Sequence, residues 1–306
     1  MEWVAYLIIG ICTGLTTAVL MHMEAFLVHE KRMITNLIIG GEEDELFLGW
    51  AFFTGSSVLL AFLASCLTVF YGPGATGSGI TELIAYLNGV NYPKLLSFES
   101  LVTKIFGVLF AVVGNLCVGK EGPMAHIGAI IGAAVAYLPL PKFDYLRNDW
   151  YKRELMAAGC SAGVSTAFGA PVGGALFAYE MSKPNTFWRF GVLWKAFFSC
   201  SLAVVTQSIT YHLMVDGHIG GIAAVHELKF SATFVDSPQL HSIPAAVILG
   251  VITGLLGALF IYLNSNLNLR RKKFVTKSWH KLLEVALFSL ATSSVFYWAP
   301  VIFNEC

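Results

Sequence analysis

The sequence predicts an all-α, polytopic membrane protein, and three observations carry that expectation. The chain of 306 residues is 56% hydrophobic and 12% charged, with a mean hydropathy of +0.69, whereas a soluble domain carries about 25% charged residues. Long apolar runs alternate with short polar connections. The runs in the middle of the chain are too short to cross a bilayer and start or stop at glycine, proline or serine. Such interrupted helices point to a binding site near the membrane midplane.

Candidate membrane helices fall at residues 3–27, 46–70, 98–118, 121–138, 153–168, 171–181, 187–214, 243–269 and 281–303. The first two and the last three stand out by length and hydropathy. Residues 1–2 bring no basic stretch, and the apolar run continues to about residue 20 with no cleavage motif, so the start reads as a membrane helix and not a signal peptide. Polar connections are expected at 40–45, 139–152 and 216–238. Basic clusters at Lys31-Arg32, around Lys142 to Arg153 and at Arg270 to Lys273 with Lys277 divide the positive-inside vote, so charge alone sets no orientation.

Composition also excludes. Net charge is zero, so nothing points to nucleic acid. Cys12, Cys66, Cys117, Cys160, Cys200 and Cys306 are scattered without a C-x-x-C pair, which supports neither a zinc site nor a disulfide framework, and they read as membrane packing residues. Gly10-x-x-x-Gly14 and Gly250-x-x-x-Gly254 fit close helix packing, with packing inside the chain preferred over a dimer face.

The most informative segment is Gly119-Lys120-Glu121-Gly122-Pro123-Met124-Ala125-His126. Lys104 is the only charge in residues 101–118, and residues 124–140 carry none. A charge at the bilayer centre costs at least ~2.5–3.5 kcal/mol, so the Lys-Glu pair between these runs marks a functional site. Pro123 suits the first turn of a new helix, where its missing N–H goes unneeded. That helix start would aim free N–H groups and a positive dipole end inward, making an anion site. Glu121 then hangs a carboxylate beside it, the arrangement of a gated anion pathway.

Two further breaks accompany it. Gly77-Ser78-Gly79-Ile80 lies between apolar segments; the glycines permit close backbone approach and the serine offers a hydroxyl donor, although an ordinary helix cap reads equally well. Phe168-Gly169-Ala170-Pro171 opens another short helix that reaches Glu180, whose plainer reading is an interfacial carboxylate near Lys183 or Arg189. Other motifs fail. Gly114 to Lys120 has the spacing of a phosphate loop, but Glu121 stands where Ser or Thr should ligate magnesium, and an apolar run precedes it where a strand should. His218 and His226 lack a third metal ligand, so no metal site is expected. No H-E-x-x-H or G-x-S-x-G motif appears, so no enzyme is expected.

Taken together, GKEGPMAHIGA, FGAPVGGALFAYE and the Gly77–Ile80 break, in this order, resemble the CLC family of chloride channels and proton-coupled chloride exchangers over essentially the whole chain. The GKEGP form, with Asn88-Gly89-Val90 after the first break, looks most like the intracellular and plant-type branch, which implies an intracellular membrane. The resemblance implies CLC architecture, with residues 1–306 covering the first inverted repeat and the first two helices of the second, and no CBS domains. It implies a chloride site built from Ser78 and backbone amides at Gly79, Ile80, Gly122 and Met124. Glu121 would be the gating glutamate, with Lys104 and Lys120 supplying positive field, and Glu180 a possible stop on a proton path. It further implies a homodimer in a lipid bilayer with one pore per subunit and no cofactor for transport. Two positions depart from the family pattern: Thr81 replaces the usual proline, and Met181 stands where exchangers keep a proton-relaying glutamate. The expectation is therefore channel-like or weakly proton-coupled chloride flow. The alternatives are a proton-coupled exchanger or a truncated, non-conducting half-protein.

Overall fold

The computed structural model describes residues 2–40, 45–139, 143–182, 190–217 and 242–303, and every regular element among them is helical. In chain order these are α1 (Glu2–Ile39), α2 (Leu46–Cys66), a π-type turn (Leu67–Tyr71), a 3-10 turn (Pro73–Ala75), α3 (Ile80–Leu87), α4 (Phe98–Val113), α5 (Glu121–Val135), a 3-10 turn (Asp144–Arg147), α6 (Asp149–Phe168), α7 (Pro171–Ser182), α8 (Phe190–Asp216), α9 (Ser242–Phe274) and α10 (Ser278–Phe303). Among the described residues five stretches are long and apolar enough to cross a membrane: Glu2–Ile39, Leu46–Tyr71, Gly191–Val215, Ile243–Phe274 and Ser278–Phe303. They are the five that hydropathy singles out. Between them lie the broken helices, of which α3 spans 8 residues and α7 spans 12.

Boundaries move where tertiary partners act. α1 runs to Ile39 through the polar stretch that the sequence reading leaves outside. The reason is Lys31, which is buried and donates to Ser57 Oγ at 2.6 Å and to the Val113 carbonyl at 2.8 Å. A polar residue with such partners is worth keeping helical. α4 stops at Val113, five residues early, because Asn115 takes a left-handed φ of 54°. α6 begins at Asp149, four residues before the expected start, with Asn148 Oδ1 accepting the Trp150 N–H at 3.4 Å. The polar connection at 139–152 thus holds a 3-10 turn and the first turn of α6. Residues 41–44, 140–142, 183–189 and 304–306 lie outside the described residues, as do 218–241 with both loop histidines.

The chain divides into two compact units, residues 1–229 with 285–306, and residues 230–284. In the larger unit α6 is the hub, packed on α5, α1, α7 and α8. Its contact with α5 is backbone to backbone. A Cβ at Gly128 or Gly132 of α5 would overlap the Gly159 or Leu155 carbonyl of α6, and one at Gly159 or Gly163 would overlap the Gly128 or Met124 carbonyl of α5. Two reciprocal small-x-x-x-small pairs therefore lock these helices together. Gly10 and Gly14 of α1 do the same against α8, where a Cβ would come within 2.8 Å of the Ser199 carbonyl and 2.6 Å of the Ala203 carbonyl. That is the within-chain packing expected of this pair. Gly250 and Gly254 belong to the smaller unit, within which nothing approaches a Cβ built at either. Among the described cysteines Cys160 and Cys200 are buried packing residues, and Cys117 is exposed.

A methyl group at Gly159 should force α5 and α6 apart and lower stability by about 1–3 kcal/mol, the usual cost of overpacking. A methyl at Gly55 of α2 meets nothing within 4 Å, so Gly55→Ala should be neutral or slightly stabilising, because alanine favours helix over glycine by ~1 kcal/mol. Thermal unfolding of the two detergent-solubilised variants checks this; equal midpoints would contradict the interlock.

Candidate functional site

The first break follows from backbone chemistry. After the π-type turn the chain passes Gly72 and the 3-10 turn, then reaches Gly77 and Gly79 with left-handed φ of 70° and 84°. Only glycine adopts such angles cheaply. Gly79 has a second reason to be glycine: a Cβ there would overlap Nδ1 of His126 on α5. Lys104 of α4, 3% exposed, donates its ammonium to the carbonyls of Ala75 and Gly77, each at 2.7 Å. The ammonium thus satisfies the carbonyls that the interrupted helix leaves without partners. Ser78 Oγ accepts from the Ile80 N–H at 3.4 Å, a long contact that leaves its proton free to donate elsewhere.

The second break is held from three sides. Lys31 binds the Val113 carbonyl, Ser289 Oγ of α10 binds the Gly114 carbonyl at 3.0 Å, and Asn115 Nδ2 reaches Ser57 Oγ at 3.5 Å. α5 then begins at Glu121 with no side-chain cap at Lys120. Pro123 falls in its first turn, as expected. The Met124 N–H closes that turn on the Lys120 carbonyl at 2.9 Å, and the Met124 side chain is fully buried. The amides at the helix start without an intrahelical acceptor are therefore those of Glu121 and Gly122. The phosphate-loop spacing lies between two helices, α4 and α5, with no strand before it.

The two breaks meet. A Cβ at Gly122 would come within 2.7 Å of Ser78 Cβ, and Gly122 also packs on Ile80. Ser78, Ile80, Lys104, Glu121 and Gly122 line one cavity of about 550 Å³ between α2, the first break, α4 and the second break. Glu121 is half-buried, and its carboxylate folds back over Gly119 into the space a Cβ would fill there. Gly79 touches the site from behind, through His126. The His126 Nε2 lies 3.1 Å from the Leu95 carbonyl, so this ring ties α5 to both the first break and the segment before α4.

The third break stays apart from the cavity. Gly169 is left-handed with φ of 66°, the Ala170 N–H donates to the Ser165 carbonyl at 3.1 Å, and α7 starts at Pro171. Glu180 is exposed on α7, while Met181 is buried at 6% exposure in an apolar cluster with Met156 and Cys160. Lys183 and Arg189, the cations expected near Glu180, lie outside the described residues.

Sequence reading missed three participants. Glu24 of α1 takes Lys120 Nζ on both carboxylate oxygens, 2.9 Å to each, so the charge of Lys120 is compensated and not offered as open field. Glu24 was visible as a lone carboxylate in an apolar run, but sequence distance hid its partner. His126 was part of the motif without a role. Thr103, beside Lys104 in the cavity wall, has a buried hydroxyl with no partner among the described residues.

Comparison with known proteins identifies the family. The voltage gated chloride channel family matches residues 60–305. The human H(+)/Cl(-) exchange transporter 7 is 34% identical over 314 residues, covering 96% of this chain and 38% of the relative. Chloride channel protein CLC-c of Arabidopsis thaliana is 35% identical over 274 residues, covering 86% of this chain and 34% of the relative. The chain thus spans well under half the length of these curated relatives. Among solved structures, a eukaryotic CLC transporter superposes with a TM-score of 0.74 at 26% identity, over 96% of this chain and 48% of that one. A slow cyanobacterial Cl-/H+ antiporter reaches 0.75 at 20% identity, over 97% and 67%, a likeness of fold. With broken helices meeting at one cavity, five membrane-grade stretches and a family match across most of its length, this chain belongs to the voltage gated chloride channel family, the CLC proteins.

Proposed function

We propose that this chain forms a chloride pathway across a membrane, with Glu121 as the gate and Ser78 as a hydroxyl ligand of the ion. The observation that carries this reading is the contact between Ser78 and Gly122, which brings two helix starts from distant parts of the sequence to one cavity. Each helix start is a positive dipole end with unpaired N–H groups, and together they favour an anion between them. Gly79, Ile80 and Gly122 supply the surrounding backbone, while the Met124 amide closes the first turn of α5 behind them. Lys104 adds positive potential from the cavity wall without carrying the ion itself, since its ammonium is bonded to two carbonyls.

A carboxylate at this position competes with chloride for the same potential. Ionised, Glu121 blocks; protonated, it loses its attraction to the helix ends and moves aside. The relatives support placing the protein in the CLC branch that includes plant members, and a homodimer in an intracellular membrane follows by that analogy.

Burial of Met181 among Met156 and Cys160 supports channel-like or weakly coupled flow, because a thioether there cannot carry a proton. Proton-coupled exchange is the second reading, favoured by the relatives named H(+)/Cl(-) exchange transporter 7. Glu180 could serve it only from a helix face about 100° away from that of Met181, and it is exposed.

Three outcomes follow for the protein in a membrane. Glu121→Gln should give chloride flux nearly independent of external pH; a variant that keeps the parent's pH response would remove Glu121 as the gate. Ser78→Pro deletes the hydroxyl donor and should raise nitrate flux relative to chloride, read as a reversal-potential shift under paired gradients. An unchanged ratio counts against Ser78 as a ligand. Finally, a chloride gradient imposed across proteoliposomes should drive little or no proton uptake. Uphill proton movement at a fixed ratio to chloride would establish the exchanger reading instead.

A further inference from the structure

Two lysines near the cavity are hydrogen-bonded to different kinds of partner. Lys104 is bonded to carbonyls, whereas Lys120 Nζ is bound by both oxygens of Glu24 at 2.9 Å, with side chains 25% and 18% exposed. Lys120 immediately precedes Glu121 at the N-cap position of α5, where its side chain makes no cap hydrogen bond. The two neighbouring side chains diverge: Lys120 reaches to α1, and Glu121 folds back over Gly119 at the cavity.

We infer that Glu24 sets the anion affinity of this pathway, as a positioning residue that draws Lys120 away from Glu121 and cancels its charge beside the α5 helix start. The inference rests on the chloride-pathway reading above. An ion pathway needs binding strong enough to admit the ion and weak enough to release it. A free ammonium at Lys120 would add a full positive charge to a helix end that already attracts anions. It would also give Glu121 a partner outside the anion position, and both effects raise chloride occupancy. Pairing with Glu24 turns that monopole into a short dipole whose field falls off faster. The partial burial of the pair matters, because a fully solvated charge would be screened within ~10 Å and contribute little.

The test uses protein purified from its membrane, with chloride binding followed by calorimetry and chloride flux measured in vesicles across a range of chloride concentrations. Glu24→Gln should lower both the Kd and the half-saturating chloride concentration by about threefold to tenfold, the scale of one charge acting at a partly solvated site. Maximal flux should fall or stay level, since a tighter ion leaves more slowly. In a Lys120→Met background the same Glu24→Gln change should have no further effect. The exchanged pair, Glu24→Lys with Lys120→Glu, should return towards the parent values. If Glu24→Gln fails to accumulate, Glu24→Asp, which keeps the charge but shortens the reach, should shift the Kd in the same direction by less. A Kd that ignores Glu24→Gln in a parent that transports chloride overturns this inference alone, as does an equal shift in the Lys120→Met background. A parent that neither binds nor transports chloride overturns the pathway reading, and this inference with it.

Discussion

A helix interrupted inside an apolar bundle leaves carbonyls and amides that neither water nor a regular ladder can satisfy, and most of this structure answers to that constraint. The carbonyls are met by buried side chains that sequence alone marks as costly. Lys104 takes those of Ala75 and Gly77; Lys31 takes that of Val113; Ser289 takes that of Gly114. Hydrogen bonds from charged donors are worth about 1.5–3 kcal/mol, which offsets part of the cost of burying each lysine. The amides of Glu121 and Gly122 have no intrahelical acceptor at the start of α5, and both residues line the cavity. Donors are free at the site, and acceptors are capped around it.

Glycine decides how closely the pieces approach. The α5 and α6 backbones touch through Gly128, Gly132, Gly159 and Gly163, so the helix that begins at Glu121 is anchored on α6, the hub of the larger unit. Gly79 lets the first break lie against His126, and Gly122 lets Ser78 reach the second break. A methyl group at any of these positions would meet a backbone, the His126 ring or the Ser78 side chain. The geometry of the cavity is in this sense set from behind, by packing that never touches an ion.

Charge is placed with similar economy. Lys31 sits over the Phe53 ring at 4.3 Å while donating to two oxygens, so its charge is spent on holding α1 to α2 and α4. Lys120 is matched by Glu24. Lys104 alone remains as a cavity cation bound to neutral groups, next to the proposed gate.

What the sequence determined by itself was local: helices throughout, the five long apolar stretches, and breaks at Gly77–Ile80, Gly119–Pro123 and Gly169–Pro171, since hydropathy and backbone freedom are properties of neighbouring residues. The motifs also carried the family. Tertiary structure decided the rest, because pairing across distance leaves no local trace. Glu24 and Lys120 are an unremarkable carboxylate and lysine until α1 and α5 meet. The glycines of α5 and α6 read as composition until their backbones touch. The polar stretch around Lys31 fell outside the helix expected at residues 3–27 and is helix, because Ser57 and the Val113 carbonyl await it. That the first two breaks share a site was implied by the family resemblance alone; no spacing or hydropathy in the sequence brings them together. The short loops and glycine contacts bring Ser78 to Gly122 and keep Glu180 away, and only the folded chain can supply that distance.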